Sequence, residues 1–165
     1  MVKILLLIDF SSEFSRGILK GLIRYSKDHG PWIFYRLPSY YKTLYGEKGV
    51  IQWAKEWKAD AIIARWDEEG THLLTSLNIP IILQNYKSRS DYFSNLTGDY
   101  IGTGKMAAQF FIKRRYRNFA FYGNKGVIWS QERAEGFRKE IEKIEGNYYY
   151  FESENLDGEQ WSSSH

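Results

Sequence analysis

A chain of 165 residues is one domain by length, or two small lobes, and a hydrophobic fraction of 43% is enough for a core and argues against disorder. The formal net charge of +3 is too small to argue for nucleic acid, and the absence of cysteine removes a disulfide framework, a thiol nucleophile and a cysteine metal site. The three histidines, His29, His72 and His165, are too far apart in sequence to suggest a metal ligand set.

In chain order, Ile4–Ile8 is a continuous apolar run, the mark of a strand buried on both faces. It is too short for a signal-peptide core, Asp9 interrupts it, and no later apolar run approaches ~18 residues. A cytoplasmic location is therefore expected, with the Asn95-Leu96-Thr97 sequon a chance match. Ser11 and Ser12 offer an N-cap to a helix in which Ile18, Leu22 and Tyr25 recur at helical spacing, with Leu19 and Ile23 beside them. Gly17 and Gly21, four apart, predict a close approach of that helix to a sheet, and Gly30-Pro31 ends it. Trp32–Leu37 reads as a second strand and Tyr40–Gly49 as a loop. Val50–Trp57 reads as a helix with Val50, Trp53, Ala54 and Trp57 on one face. Ala61–Ala64 is a third strand. Asp67 is placed to cap a helix whose first turn carries Glu68 and Glu69 and which Leu73, Leu74 and Leu77 bury. Pro80–Leu83 and Ser94–Thr97 are a fourth and a short fifth strand.

The pattern restarts after Asp99. A helix over Ile101–Arg115 is expected to bury Ala107, Phe110 and Phe111. Its basic end, Lys113, Arg114, Arg115 and Arg117, suits a helix C-terminus. A strand at Asn118–Tyr122 follows, then a helix at Gln131–Ile144 burying Ala134, Phe137, Ile141 and Ile144, then a strand at Tyr148–Phe151. Glu159–His165 reads as the start of a further helix. Strands alternating with helices mean an α/β protein with parallel sheets. Neither G-x-G-x-x-G after the first strand nor G-x-x-x-x-G-K-[ST] anywhere is present, which weighs against a dinucleotide or nucleoside-triphosphate site. Gly102-Thr103-Gly104 reads as close packing of two lobes rather than a phosphate cradle. No paired carboxylates, Ser/His/Asp set or metal cluster stands out, so neither catalysis nor a cofactor is expected. Aromatic residues, at 18%, are the compositional outlier, and flat rings with polar tips suit carbohydrate stacking and interfaces.

Three segments fall in a telling order: Asp99-x-x-Gly-Thr-Gly-x-x-Ala-Ala108, then Phe119-Ala-Phe-Tyr-Gly123, then Glu132-Arg-x-Glu-Gly-Phe137. Their order and spacing resemble the sugar-binding regulatory domain of LacI/GalR-type repressors, and more closely the ligand domain of xylose-operon regulators of the AraC type. The resemblance covers nearly the whole chain. It implies Rossmann-like lobes of the type I periplasmic-binding-protein fold. The first lobe would be residues 1–98, and 99–165 would be the first part of a second, incomplete lobe. It implies a monosaccharide effector, xylose foremost, bound by cleft closure that shifts a DNA-binding module. DNA would be contacted only through a module this chain lacks, so the chain reads as a fragment, with a second copy as partner and no membrane role. The rivals are a transporter's periplasmic sugar-binding protein and, against the motif evidence, a nucleotide-using α/β enzyme.

Candidate ligand residues follow from both arguments. Ligands of open α/β sheets sit outside the carboxyl ends of the strands. Arg65 and Asp67 flank Trp66 at the end of the third strand, and Gln84 and Asn85 end the fourth. Arg133 offers a fork of fixed donors suited to vicinal hydroxyls, and the resemblance gives an arginine there contacts with ligand oxygens. Asp99 is matched to an acceptor of sugar hydroxyls, and Trp129, expected in a loop, to a ring that stacks on a pyranose. The first strand-helix loop contributes Asp9, Ser11, Phe14 and Arg16 as an aromatic wall and polar contacts. The plain alternatives are helix caps for Asp67 and Asp99, core packing for Phe14, lobe-to-lobe packing for Trp129 and a surface position for Arg133. Phe14, Asn85, Asp99, Trp129 and Arg133 are expected to converge on one crevice.

Overall fold

A computed structural model describes residues 1–66, 70–85 and 87–153, with Ser39 described by its backbone alone. The expected Asp67 cap with Glu68 and Glu69, and the helix start at 159–165, lie outside the described residues. The chain divides into two compact units, one of Met1–Asn85 with Arg89–Thr97, the other of Tyr86–Ser88 with Gly98–His165. Among the described residues no helix is long and apolar enough to cross a membrane.

The first unit is a five-stranded, wholly parallel sheet in the order β2-β1-β3-β4-β5. The strands are β1 (Val2–Leu7), β2 (Trp32–Arg36), β3 (Ala61–Ala64), β4 (Ile81–Leu83) and β5 (Ser94–Asn95). Successive residues of β1 and β3 point to opposite faces, and both faces are covered, which is why Ile4–Leu7 of β1 and Ala61–Ala64 of β3 read as unbroken apolar runs. Leu5, Ile62, Ala64 and Leu83 pack with Val50, Ile51 and Ala54 of α2 (Ser39–Trp57) and Leu74 of α3 (Thr71–Thr75). Ile4, Leu6 and Ile63 pack on the other face with Leu19 and Leu22 of α1 (Glu13–His29). Ser12 caps α1, its Oγ accepting from the Ser15 backbone N–H at 3.2 Å.

Two expectations fail here. A Cβ built on Gly17 or Gly21 meets nothing within 4 Å, so these glycines lie in open space and bring α1 no closer to the sheet. Tyr25 and Ile23 are exposed, and α1 docks through Leu19 and Leu22. The segment Tyr40–Gly49 is helical rather than a loop. Pro38, at φ −59°, precedes the first turn, the Tyr41 and Tyr45 rings pack 4.4 Å apart one turn on, and Gly46 breaks the helix at φ 66° before it resumes. Only glycine takes that backbone without strain.

The second unit pairs β6 (Asn118–Asn124) in parallel with β7 (Asn147–Ser153) and packs α4 (Tyr100–Ile112) and α5 (Ile128–Glu142) together. Its core is Ala108, Phe119, Phe137 and Ile141, with Phe121, Ile144 and Tyr148 against it. The sheet residues of opposite orientation, Tyr122, Tyr149 and Phe151, are exposed.

The predicted buried face of α4 is wrong. Phe110 and Phe111 are 50% and 41% exposed and Ala107 is exposed, while Gly104 and Ala108 are buried. The reason is the closeness of the two helices. A Cβ at Gly104 would overlap the Arg133 carbonyl oxygen and lie 2.9 Å from Phe137 N. A Cβ at Gly136 would overlap the Ile101 carbonyl oxygen and lie 2.8 Å from the Ile101 carbonyl carbon. The helices meet backbone to backbone through these glycines, and the large rings are left outside. Gly104 thus serves close packing between helices of one unit, not of two lobes. Gln109 Nε2 donates to Glu140 Oε2 across the same pair at 3.0 Å. With Lys143 as first cause and Gln109 as second, the Glu140 carboxyl is held below its ordinary pKa.

Candidate ligand site

In the first unit, the carboxyl ends of β1 and β3 open on a cavity of about 230 Å³. Asp9, Lys42, Arg65 and Trp66 supply its polar and aromatic lining, with Leu7, Leu37, Pro38 and Val50 beneath. Asp9 accepts from the Ser11 backbone N–H at 3.0 Å and from Ser11 Oγ at 2.7 Å. Those two bonds are the main reasons its carboxyl lies below the ordinary aspartate pKa, and Arg65 and Arg36 add to the effect. Asp9 is therefore an ionised acceptor at neutral pH, the form that receives sugar hydroxyls.

Trp66 is 2% exposed. Asn85 Oδ1 accepts its backbone N–H at 3.0 Å, and Arg65 Nη2 donates to Gln84 Oε1 at 3.4 Å. The amides that end β4 thus hold the residues that end β3. The Lys42 ammonium stands 4.6 Å over the Trp66 ring centroid and pairs with Glu47 at 3.1 Å. Lys42 and Trp66 escaped the sequence reading. Trp66 stood between two candidates, which was a usable signal. Lys42 was hidden in a segment taken for a loop.

Arg16 and Phe14 sit at the head of α1. Arg16 pairs with Glu13 and donates to the Phe10 and Ser11 carbonyl oxygens, so it pins the loop after β1. Phe14 is 41% exposed, so it is not a core residue. Neither of the two lines the cavity.

In the second unit, Asp99 caps α4. Its Oδ1 accepts the Gly102 backbone N–H at 2.7 Å, and Gly102 leaves the carboxylate its space. Replacement by alanine should cost about 0.5–2 kcal/mol of local stability, while asparagine, an equally good cap, should cost little. Amide exchange in α4 checks both variants. Loss of sugar affinity in the asparagine variant alone would assign the charge to the ligand.

Trp129 and Arg133 correct the expected geometry. Helix α5 begins at Ile128, so Trp129 lies in its first turn rather than a loop, and Arg133 one turn deeper. Four residues apart, the two share a helix face. The Arg133 guanidinium carbon lies 5.0 Å from the Trp129 ring centroid and 5.2 Å from that of Tyr100, the first residue of α4. Its Nε is buried, and its guanidinium makes no hydrogen bond or ion pair among the described residues. A buried donor without an acceptor carries a desolvation cost of about 1–3 kcal/mol. Rings therefore hold this arginine in place while its donors remain unspent. In this unit Tyr100 is the residue that sequence reasoning missed. Among the described residues, no group of three or more histidine, aspartate or glutamate side chains could hold a metal.

No protein-family model and no curated protein sequence matches the chain. Solved structures do. A putative ribose operon repressor from Burkholderia thailandensis aligns with a TM-score of 0.69 at 20% identity, over 91% of this chain and 60% of its own. A periplasmic binding protein/LacI transcriptional regulator from Alkaliphilus metalliredigens, complexed with D-xylulofuranose, gives 0.67 at 15% identity, over 94% and 57%. An ABC transporter periplasmic solute binding protein from Actinobacillus succinogenes, with bound D-allose, gives 0.67 at 18% identity, over 92% and 59%. The chain has the type I periplasmic-binding-protein-like fold, and it spans about three fifths of the length of these structures.

Proposed function

We propose that the chain is the effector-sensing part of a sugar-operon transcription regulator of the xylose type, and that its effector is a monosaccharide, D-xylose first. The observation that carries the reading is Arg133, held by two rings with no acceptor among the described residues. Such a guanidinium is spent neither on the fold nor on a salt bridge, and its fork matches adjacent hydroxyl oxygens. The first unit's cavity adds support. At about 230 Å³ it is below the ~300–1,000 Å³ of sites for drug-sized ligands, which suits one sugar ring. Its Asp9 carboxylate is a hydrogen-bond acceptor for hydroxyls, and Trp66 with Lys42 over its ring forms part of the lining. The bound sugars of two structural neighbours, D-xylulofuranose and D-allose, belong to the same chemical class. In this reading the first unit contributes Asp9, Arg65 and Asn85 to sugar binding and the second unit contributes Asp99, Trp129 and Arg133, directly or by holding residues that do. Sugar binding would act by favouring one conformation of the whole regulator, to the extent of its differential affinity for the two states.

Isothermal calorimetry against D-xylose, D-ribose, D-allose and D-glucose tests the proposal. One sugar should bind, and chromatography should recover it unchanged, as expected of a sensor and not an enzyme. Silence toward all four would reject it. A transporter's binding protein is the rival, since one neighbour is such a protein. Recovery of the native protein from the periplasmic fraction would decide for that rival. The proposal includes a second copy as partner, because Tyr122 and Phe151 leave an aromatic sheet face exposed. Light scattering at tens of micromolar should give the mass of a dimer, and a clean monomer would count against this part.

A further inference from the structure

We propose that Tyr100 is a positioning residue of the ligand site: together with Trp129 it holds the Arg133 side chain through cation–π contacts in place of acceptors, so that the terminal N–H groups of the guanidinium stay available for ligand oxygens. The inference rests on the sugar-sensing reading above and deepens it. An arginine is usually fixed by acceptors, and each acceptor takes donors away from a ligand. Here the acceptors are replaced by rings at 5.2 and 5.0 Å, within the ~6 Å reach of a cation–π contact.

The backbone brings these groups together. The Gly104 and Gly136 crossing sets α4 on α5 and puts the Arg133 carbonyl where a Gly104 side chain would be. That closeness places Tyr100, at the start of α4, beside the Arg133 side chain. Gly98 clears the way, since a Cβ there would lie 3.0 Å from Tyr100 Cε1. The Tyr100 backbone N–H also donates to the Gly98 carbonyl at 3.0 Å, which fixes the residue from which the ring projects. The arrangement favours a ligand that presents two oxygens in one plane, such as a pair of vicinal hydroxyls.

Two readouts test this, one of which needs no sugar. In ¹⁵N spectra at pH 6, the Arg133 Nε–H cross-peak, assigned by its loss in Arg133→Lys, should be shifted by ring currents. Tyr100→Leu should move it toward the position of a free arginine, Trp129→Leu should do the same, and Tyr100→Phe should leave it in place. With D-xylose and D-allose as probes, Tyr100→Leu should weaken binding roughly three- to tenfold, and Tyr100→Phe should restore it. Thermal unfolding of the Tyr100→Phe and Tyr100→Leu variants confirms that both are folded. A cross-peak unmoved in Tyr100→Leu would overturn the proposal. So would a moved cross-peak with unchanged sugar affinity. If the wild type binds neither sugar, the sensing reading fails, and the cross-peak alone decides whether Tyr100 holds Arg133.

Discussion

Gly104→Ala should destabilise the second unit by about 1–3 kcal/mol, although the same change in a free helix would stabilise it by ~1 kcal/mol. The sign follows from what the new methyl meets. It would overlap the Arg133 carbonyl oxygen and crowd Phe137 N, which are backbone atoms of α5 and cannot swing aside as a flexible side chain can. The helices must part, and Ala108, Phe137 and Ile141 lose the packing that buries them. Gly136→Ala makes the mirror clash, with the Ile101 carbonyl, so the two substitutions should be strongly non-additive. Once one methyl has forced the helices apart, the second has room. Hydrogen exchange of the β6 and α5 amides measures both variants and the double. Faster exchange in each single variant is expected, and unchanged or slower exchange in Gly104→Ala would contradict the crossing. Because the atom struck belongs to Arg133, sugar affinity should fall with stability.

Arg133→Ala should behave in the opposite way, with binding lost and the fold kept. A charged hydrogen bond is worth about 1.5–3 kcal/mol, or roughly 10- to 100-fold in affinity. The fold loses two cation–π contacts of about 0.5–1 kcal/mol each but is relieved of a buried, unpartnered Nε–H. The two effects nearly cancel, so net stability should change by less than ~1 kcal/mol. Arg133→Lys keeps the charge and loses the planar fork, and should recover only part of the affinity. This separation of binding from stability is what an arginine kept for a ligand predicts. A structural arginine would lose both together.

These two predictions also mark where the sequence was legible. Strand β1 from Ile4 onward and the whole of β3 are unbroken apolar runs because helices cover both faces, so the hydrophobic pattern alone located them. The cap of α1, expected at Ser11 or Ser12 and found at Ser12, and the glycine stop at Gly30 were plain as well, since each rests on the chemistry of one residue. The face of α4 was not. Phe110 and Phe111 were assigned to the core because they are apolar, but a helix that crosses its neighbour at backbone distance buries its smallest residues. Periodicity weighs hydrophobicity and is blind to contact distance. The first half of α2 was missed for a related reason. Its glycines and tyrosines suggest a loop, and only Pro38 and the one-turn spacing of Tyr41 and Tyr45 argue otherwise.

The site was legible in part. Asp9 and Arg65 were named as candidates because strand ends are where ligands gather, and both line the cavity. Trp129 and Arg133 were named, but one helical turn out of place, because α5 starts three residues earlier than expected, at Ile128. Lys42 over Trp66 and Tyr100 beside Arg133 went unread. Cation–π partners come from different elements and carry no spacing of their own, so only coordinates reveal them.

The most direct test of the account is calorimetric titration of D-xylose into the wild-type chain and into Arg133→Ala side by side. A saturable binding heat is expected in the wild type and an affinity roughly 10- to 100-fold weaker in the variant, with equal thermal unfolding midpoints. Equal affinities in the two proteins would contradict it, because the arginine that the structure leaves unspent would then have no part in holding the ligand.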